Sequence, residues 1–441
     1  MNFSEVVEFS ISNLREFDNR EFILGENSFI RSRTWEFFDY IIFILTYEGE
    51  STTEAIQSFV EKMGWDENKI ITKQALSKQR EHIDPQIFKK MNYKFIERIY
   101  ACEDYIPLFK GYNVVICDGS KAEIPNLREV KEEFDVAPDT EKYTQPARTL
   151  FSTLIDAKYG FILDSILGKS RSSERNLLKK HLENVNKYIN LNNTIIILDR
   201  GYYSLELMLH FDSLGLKYIF RLRDDIYSDE RKGMGNDEYL NIKLTNNRTQ
   251  NIKNDDLMKK LENKKYINRR FINYNITEKT SITLLTNLPP ELASLSELKE
   301  LYDIRWKIET NYDKMKNKLR IEEYSGRKEI NIQQDFYAKT YLFNLYQAIN
   351  NQSQEKLEDI NEELRDKYNK ERRPNSNLLI GRIRKKLYQL LFSTLNEIKG
   401  ILDYLVDYGV KFTIIHDFNR KPEETEKKLF IGKNRSNIKR A

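Results

Sequence analysis

Two short runs of almost unbroken apolar residues, "NVVIC" (113–117) and "TIIIL" (194–198), each give way at once to an aspartate, Asp118 and Asp199. Runs this short and rich in Val and Ile read as strands buried on both faces rather than as helices. Such strands need helices to cover them. The neighbouring sequence supplies these. "RTLFSTLIDAKYG" and "FILDSILGKS" read as two further strands turning at Gly160. "SSERNLLKKHLENVNKYI" reads as a helix capped by Ser172 or Ser173, "SLELMLHFDSLG" as another helix, and "KYIFRLR" as a last strand. The order β, β, β, α, β, α, β predicts an α/β fold, a mixed sheet with helices on its faces. Both key strands are expected to stop at their aspartates, which puts two carboxyls in the crevice where open α/β sheets bind ligands.

The rest of the 441-residue chain divides by pattern. Residues 1–104 read as helical. Within them "ITKQALSKQREHIDPQ" forms a short helix whose polar face carries Lys78 and Arg80, sized to enter a DNA groove or to lie as a plain surface helix. Residues 105–223 and 290–350 form the α/β core. Residues 224–289 are polar and strand-prone ("YLNIKLT", "YINRRFINYNIT", "SITLLTNLP") and read as a β-rich insertion. Residues 351–441 read as a helical C-terminal region with a basic tail. An Asn/Glu/Lys-rich hinge is expected near Asn350 to Asn377. The tail from Arg420 carries eight Lys/Arg against three Glu.

Composition narrows the chemistry. The net charge is only +4, so any DNA contact has to come from local clusters. Cys102, Cys117 and four scattered histidines supply neither a disulfide framework nor zinc-ligand spacing. Metal chemistry, if present, rests on oxygen ligands, which suit Mg²⁺ or Mn²⁺. The longest apolar run, "YIIFIL" (40–45), is far below the roughly 20 residues of a membrane span, and the N-terminus lacks the basic region of a secretory signal. A soluble, reduced compartment is expected, with no membrane partner.

The stretch "LYDIRWKIETNYDKMKNKLRIEE" (301–323) adds a third carboxylate. Wound as one α-helix at about 100° per residue, Leu301, Ile304, Ile308, Met315 and Leu319 share a core-facing side. Asp303, Lys307, Lys314 and Lys318 share a solvated one. Tyr302, Arg305, Glu309 and Lys316 fit neither and form a polar stripe along the rim. Glu309 there is either a metal ligand beside a phosphate-binding track or half of a helical Arg305–Glu309 ion pair. Asp118, Asp199 and Glu309, if they converge, hold two divalent ions about 3.5–4 Å apart.

In this order the motifs are recognisable. "CDGS" (117–120), "SSER" (172–175), "DRGYYS" (199–204) and the spacing Tyr302, Arg305, Glu309, Lys316 resemble the DDE transposases of bacterial insertion sequences, in the group with the YREK signature. The resemblance covers about Val114 to Asn350, and more loosely "TKQALSKQR" and "FNRKPEETEKKLF". It implies a ribonuclease H-like core interrupted by a β insertion before the last acidic residue. It implies that Asp118, Asp199 and Glu309 bind two Mg²⁺ (or Mn²⁺) ions while Tyr302, Arg305 and Lys316 hold phosphates. The implied activity is cut-and-paste transposition of double-stranded DNA at terminal inverted repeats, through a hairpin intermediate, by a synaptic homodimer in the bacterial cytoplasm at the nucleoid. Related enzymes carry a tryptophan in the insertion's last strand to receive a flipped base. Here that strand reads "SITLLTNLP", and Tyr274 or Phe271 are the available substitutes. A DNA nuclease without strand transfer, a non-catalytic DNA-binding derivative and a helical scaffold are the rival readings.

Overall fold

The computed structural model describes residues 2–14, 19–26, 28–30, 34–140, 144–277 and 280–418. Its centre is an eight-stranded sheet. β1 (Asn113–Glu123), β2 (Arg148–Asp156), β3 (Ile162–Leu167), β4 (Thr194–Leu198), β5 (Lys217–Arg221), β6 (Asp237–Lys243), β7 (Tyr266–Thr277) and β8 (Thr280–Thr286) lie in the order β3-β2-β1-β4-β5-β8-β7-β6. β1, β4 and β5 run parallel to one another, and the flanking pairs β1–β2 and β5–β8 are antiparallel. Every residue of β4 is buried, as its continuous apolar run requires. The fold class expected from the sequence is therefore borne out, a mixed α/β sheet with helices and a β-rich insertion. The insertion does more than interrupt the core. Through β8 paired to β5 it extends the same sheet by three strands.

Helices cover the sheet. The Glu174–Val185 helix packs on β1, β2 and β3, and Leu205–Ser213 packs on β5. The 28-residue helix Glu329–Lys356 runs against β3 and the helices Phe3–Leu14, Phe37–Thr46, Gln86–Tyr100 and Leu395–Lys411. It is buried on nearly every side, so its polar residues need partners. Asn344, for example, donates to Ile162 O at 2.8 Å and accepts from Ile162 N at 2.8 Å. The expected hinge is a structured region instead. The long helix continues to Lys356, Glu358–Tyr368 follows, and β9 (Lys370–Pro374) pairs with β10 (Thr413–Asp417). Buried Leu357 and Asn361 anchor what composition alone reads as a linker. The basic tail, with Lys427, Lys428, Lys433, Arg435, Lys439 and Arg440, lies outside the described residues. No helix among the described residues is long and apolar enough to cross a membrane.

Candidate active site

β1 does not stop at Asp118. It runs on to Glu123 in an unbroken ladder with β2, in which Asp118 faces Thr153. β4 is the strand that ends, at Leu198, leaving Asp199 just past it. The parallel register sets Val115 beside Ile196 and Ile116 beside Ile197. Continued two residues, it sets Asp118 beside Asp199, on strands roughly 4.8 Å apart. Asp118 is half-buried, and burial pushes its carboxyl up to about 6. The Gly119 amide, donating to Oδ1 at 2.9 Å, pulls it back, as does Arg305, while Glu174 and Asp199 push it further up. Asp199 accepts a long hydrogen bond of 3.4 Å from the Tyr302 hydroxyl, with Arg221 at 3.8 Å.

The predicted single helix over 301–323 is broken. One helix, capped by a Ser294/Glu297 box, ends at Asp303, and a second covers Trp306–Asp313. A π-helical turn follows at Lys314–Lys318, and Arg320 takes a left-handed φ of 52°. The break re-aims the stripe. Arg305 is not on a solvated rim but 7% exposed. Its Nη2 donates to Glu309 Oε1 at 3.1 Å, its guanidinium lies 5.1 Å from the Trp306 ring, and its buried Nε has no partner. The Glu309 side chain is 44% exposed. Lys316 donates to Ser120 Oγ at 2.8 Å and Lys121 O at 2.6 Å, which ties it to β1 immediately beyond Asp118. The π turn also draws Lys314 off the expected solvated face. Burial there lowers its ammonium to about 8; Lys307 stays exposed overall, but its ammonium, which donates to Ala157 O at 2.8 Å, is also lowered by burial.

The structure thus brings Asp118, Asp199, Tyr302 and Arg305 together, with Lys316 beside them on β1. Glu309 joins this group through Arg305. Among the described residues no three His, Cys, Asp or Glu side chains are arranged to hold a metal ion. The donor set nonetheless fits a hard divalent cation. Its ligand atoms are carboxylate oxygens, and the Asp118 acid, raised first by burial and then by Glu174 and Asp199, is a carboxylate whose ionised form a bound cation would stabilise.

Sequence reading missed Glu174. A Cβ on Gly119 would come within 2.8 Å of its carboxylate, so a side chain there would make Glu174 shift. Since side chains alternate along a strand, Glu174 meets Gly119 on the face opposite Asp118. "SSER" was visible as a motif, but nothing in its spacing gave this contact. Arg175 of the same motif donates to Gly201 O at 3.0 Å, linking it to "DRGYYS".

The proposed DNA-facing pair separates. Lys78 is exposed, but Arg80 is 1% exposed and ion-paired to Asp335 at 2.8 Å. Arg80 therefore leaves the set of candidate phosphate contacts, because every face of its guanidinium is taken up inside the protein. Of the two proposed base pockets, Phe271 is wholly buried and Tyr274 half-buried. Trp306, 61% exposed beside Arg305, is the accessible aromatic at this site.

Residues 110–345 match the family model described as "Transposase DDE domain". A comparison with curated proteins finds no match. Among solved structures, the chain is similar to a piggyBac transposase synaptic complex with hairpin DNA, determined by cryo-EM. The identity is 10% and the TM-score 0.43, covering 97% of this chain and 85% of that one. A likeness at that level carries no argument about function.

Proposed function

The chain belongs to the transposase DDE domain family, and from that premise we propose that it is a cut-and-paste DNA transposase. In this reading it binds the terminal inverted repeats of an insertion sequence as a synaptic homodimer, cleaves there and joins the 3′ end to target DNA. The observation that carries the reading is the pair Asp118 and Asp199, level on neighbouring parallel strands, with Arg305 over them gripping Glu309. Asp118, Asp199 and Glu309 would hold two Mg²⁺ or Mn²⁺ ions. Bound there, the ions supply an activated water or 3′-hydroxyl and stabilise the leaving oxygen.

The chain's own residues do the rest. Arg305 keeps a buried Nε–H with no partner among the described residues, and charge-assisted hydrogen bonds of this kind hold phosphate oxygens. Lys316 spends two of its three protons on β1, and its charge, shared with Glu322 at 4.0 Å, would attract a phosphate in the same groove. Tyr302 orients Asp199 through its hydroxyl. The YREK grouping, action in the bacterial cytoplasm at the nucleoid, and Lys78 as a contact to the DNA backbone belong to the same proposal.

Strand transfer distinguishes this from a nuclease that shares the core. The test offers purified protein a pre-cleaved duplex, taken from the DNA flanking the coding region, together with a supercoiled target plasmid in Mg²⁺. Joined products support the transposase. Cutting of uncleaved flanks with no joining at any protein concentration would leave the nuclease reading in its place.

A further inference from the structure

The main-chain carbonyl of Asp118 is the acceptor of two side-chain hydroxyls. Tyr312 donates to it at 2.5 Å and Ser152 at 3.2 Å. The two arrive from opposite sides of the sheet. Thr153 donates to the Tyr312 hydroxyl at 3.0 Å, so Tyr312 lies on the Thr153 side of β2. Ser152, the preceding residue, points the other way. There His181 Nε2 stands 3.0 Å from Ser152 Oγ, and His181 Nδ1 stands 2.7 Å from Asp164.

Behind Ser152 the network is buried. Asp164 and His181 are 0% exposed. Asp164 also accepts from Tyr93 at 2.6 Å, from Asn184 at 2.9 Å and from the Lys89 ammonium at 3.0 Å. These cations and donors hold its carboxyl well below the usual range against the cost of burial. A polar network in a core is rigid when every member is satisfied, and this one fixes the Ser152 hydroxyl. Ser152 is itself buried and gives its proton to the Asp118 carbonyl, so the Ser–His–Asp arrangement is not a nucleophile.

On the other face, Tyr312 sits on the Trp306–Asp313 helix, three residues after Glu309 and on the same side of it. Asp118 faces Thr153 across the ladder and therefore projects toward that helix. The location matters because β4 ends level with Cys117. From Asp118 onward, β1 keeps a ladder with β2 alone, where its carboxylate has to be aimed most tightly.

We propose that Tyr312 and Ser152 are positioning residues that clamp the Asp118 carbonyl from both faces of the sheet, Tyr312 thereby fixing the Glu309 helix against the strand that carries Asp118. The proposal rests on Asp118 and Glu309 acting together on a divalent ion. Partners that orient metal ligands change metal affinity or activity by about 10–100-fold when removed. Removing either hydroxyl leaves every proposed ligand and phosphate contact in place.

The test compares Tyr312→Phe, Ser152→Ala and Glu309→Gln with the unaltered chain. Mn²⁺ affinity is read by calorimetry without DNA, affinity for the flanking duplex by gel shift in EDTA, and folding by thermal melting. Tyr312→Phe and Ser152→Ala are expected to bind Mn²⁺ about tenfold more weakly, with duplex affinity unchanged and melting within about 3 °C. Mn²⁺ affinity equal to that of the unaltered chain in both hydroxyl variants, with Glu309→Gln impaired, overturns the clamp alone. Loss of duplex affinity and folding in step, with Mn²⁺ binding intact, also overturns it, since that is the mark of a merely structural role. Normal Mn²⁺ affinity in Glu309→Gln removes the parent reading and the clamp with it.

Discussion

Two arginines, one in the N-terminal helices and one at the candidate site, are both buried and both ion-paired, yet they differ in how their donors are used. Arg80 is saturated. Its Nε donates to Gln334 at 2.9 Å, its Nη2 to Asp335 at 2.8 Å and Asn331 O at 3.3 Å, and its Nη1 to Ser325. Arg305 is unsaturated, with one hydrogen bond to Glu309 and a buried Nε that bonds to nothing. An unpaired buried donor costs roughly 1–3 kcal/mol, which a phosphate oxygen taking the bond would offset at Arg305. Arg80 thus reads as a structural anchor, and Arg305 as an arginine with a donor to spare for a ligand.

That contrast breaks first at Arg80. Arg80→Ala leaves Asp335 charged and buried, which costs about 3–5 kcal/mol. Urea unfolding should show that loss, and an unchanged midpoint would mean that Arg80 is no anchor. Arg305→Ala comes next. Cleavage should fall about 10–100-fold as a charge-assisted grip on phosphate is lost, with a stability cost of at most about 1–2 kcal/mol. Arg305→Lys should recover only part of the rate, because a point charge cannot replace the guanidinium fork. Kinetics at saturating DNA, set beside melting curves, separates the two costs.

Trp306→Ala should be smaller still in stability, within about 0.5 kcal/mol for so exposed a side chain. It should nonetheless weaken binding of duplexes with an unpaired terminal base by roughly 1 kcal/mol or more, if the ring stacks on that base. A fluorescence titration with paired and unpaired ends reads the difference.

The smallest effect has the opposite sign. Burial raises the folded Asp118 acid to about 6 from an unperturbed 3.8, so its ionised form is tolerated less well folded than unfolded. Without divalent ions, Asp118→Asn should therefore raise the melting temperature at pH 7.5 by about 1–3 °C. The gain should shrink as pH falls below about 6 and vanish below about pH 3, where both states carry the proton. A melting series across that range shows whether the crossover exists.

How far the sequence foretold this depends on whether a feature is local. The apolar runs before Asp118 and Asp199 revealed their strands, because burial of a parallel strand leaves a continuous signature. The β-rich character of 224–289 was equally visible in its turn-flanked strands. That β8 would pair with β5 and enlarge the core sheet was not, since edge pairing leaves no periodic mark. Arg80 read as a groove contact because its partners, Gln334 and Asp335, stand far along the chain in a helix it meets only after folding. The break at Ile304–Arg305 lacks Gly or Pro, and the π turn after Asp313 has no sequence sign. Those two irregularities turned a polar stripe along the rim into the buried Arg305 and the strand-bound Lys316.

The central claim is that Asp118, Asp199 and Glu309 work as one metal-dependent site. The most direct test is single-turnover cleavage of the flanking duplex in Mg²⁺ by Glu309→Gln, which keeps size and hydrogen bonding but removes the charge. The account predicts folded protein that binds the duplex normally and cuts it at least about a thousandfold more slowly. A double variant with Asp118→Asn should be little worse, because residues that act as a unit are not additive. Glu309→Gln protein that cuts at close to the unaltered rate would contradict the claim and leave Glu309 as a structural partner of Arg305.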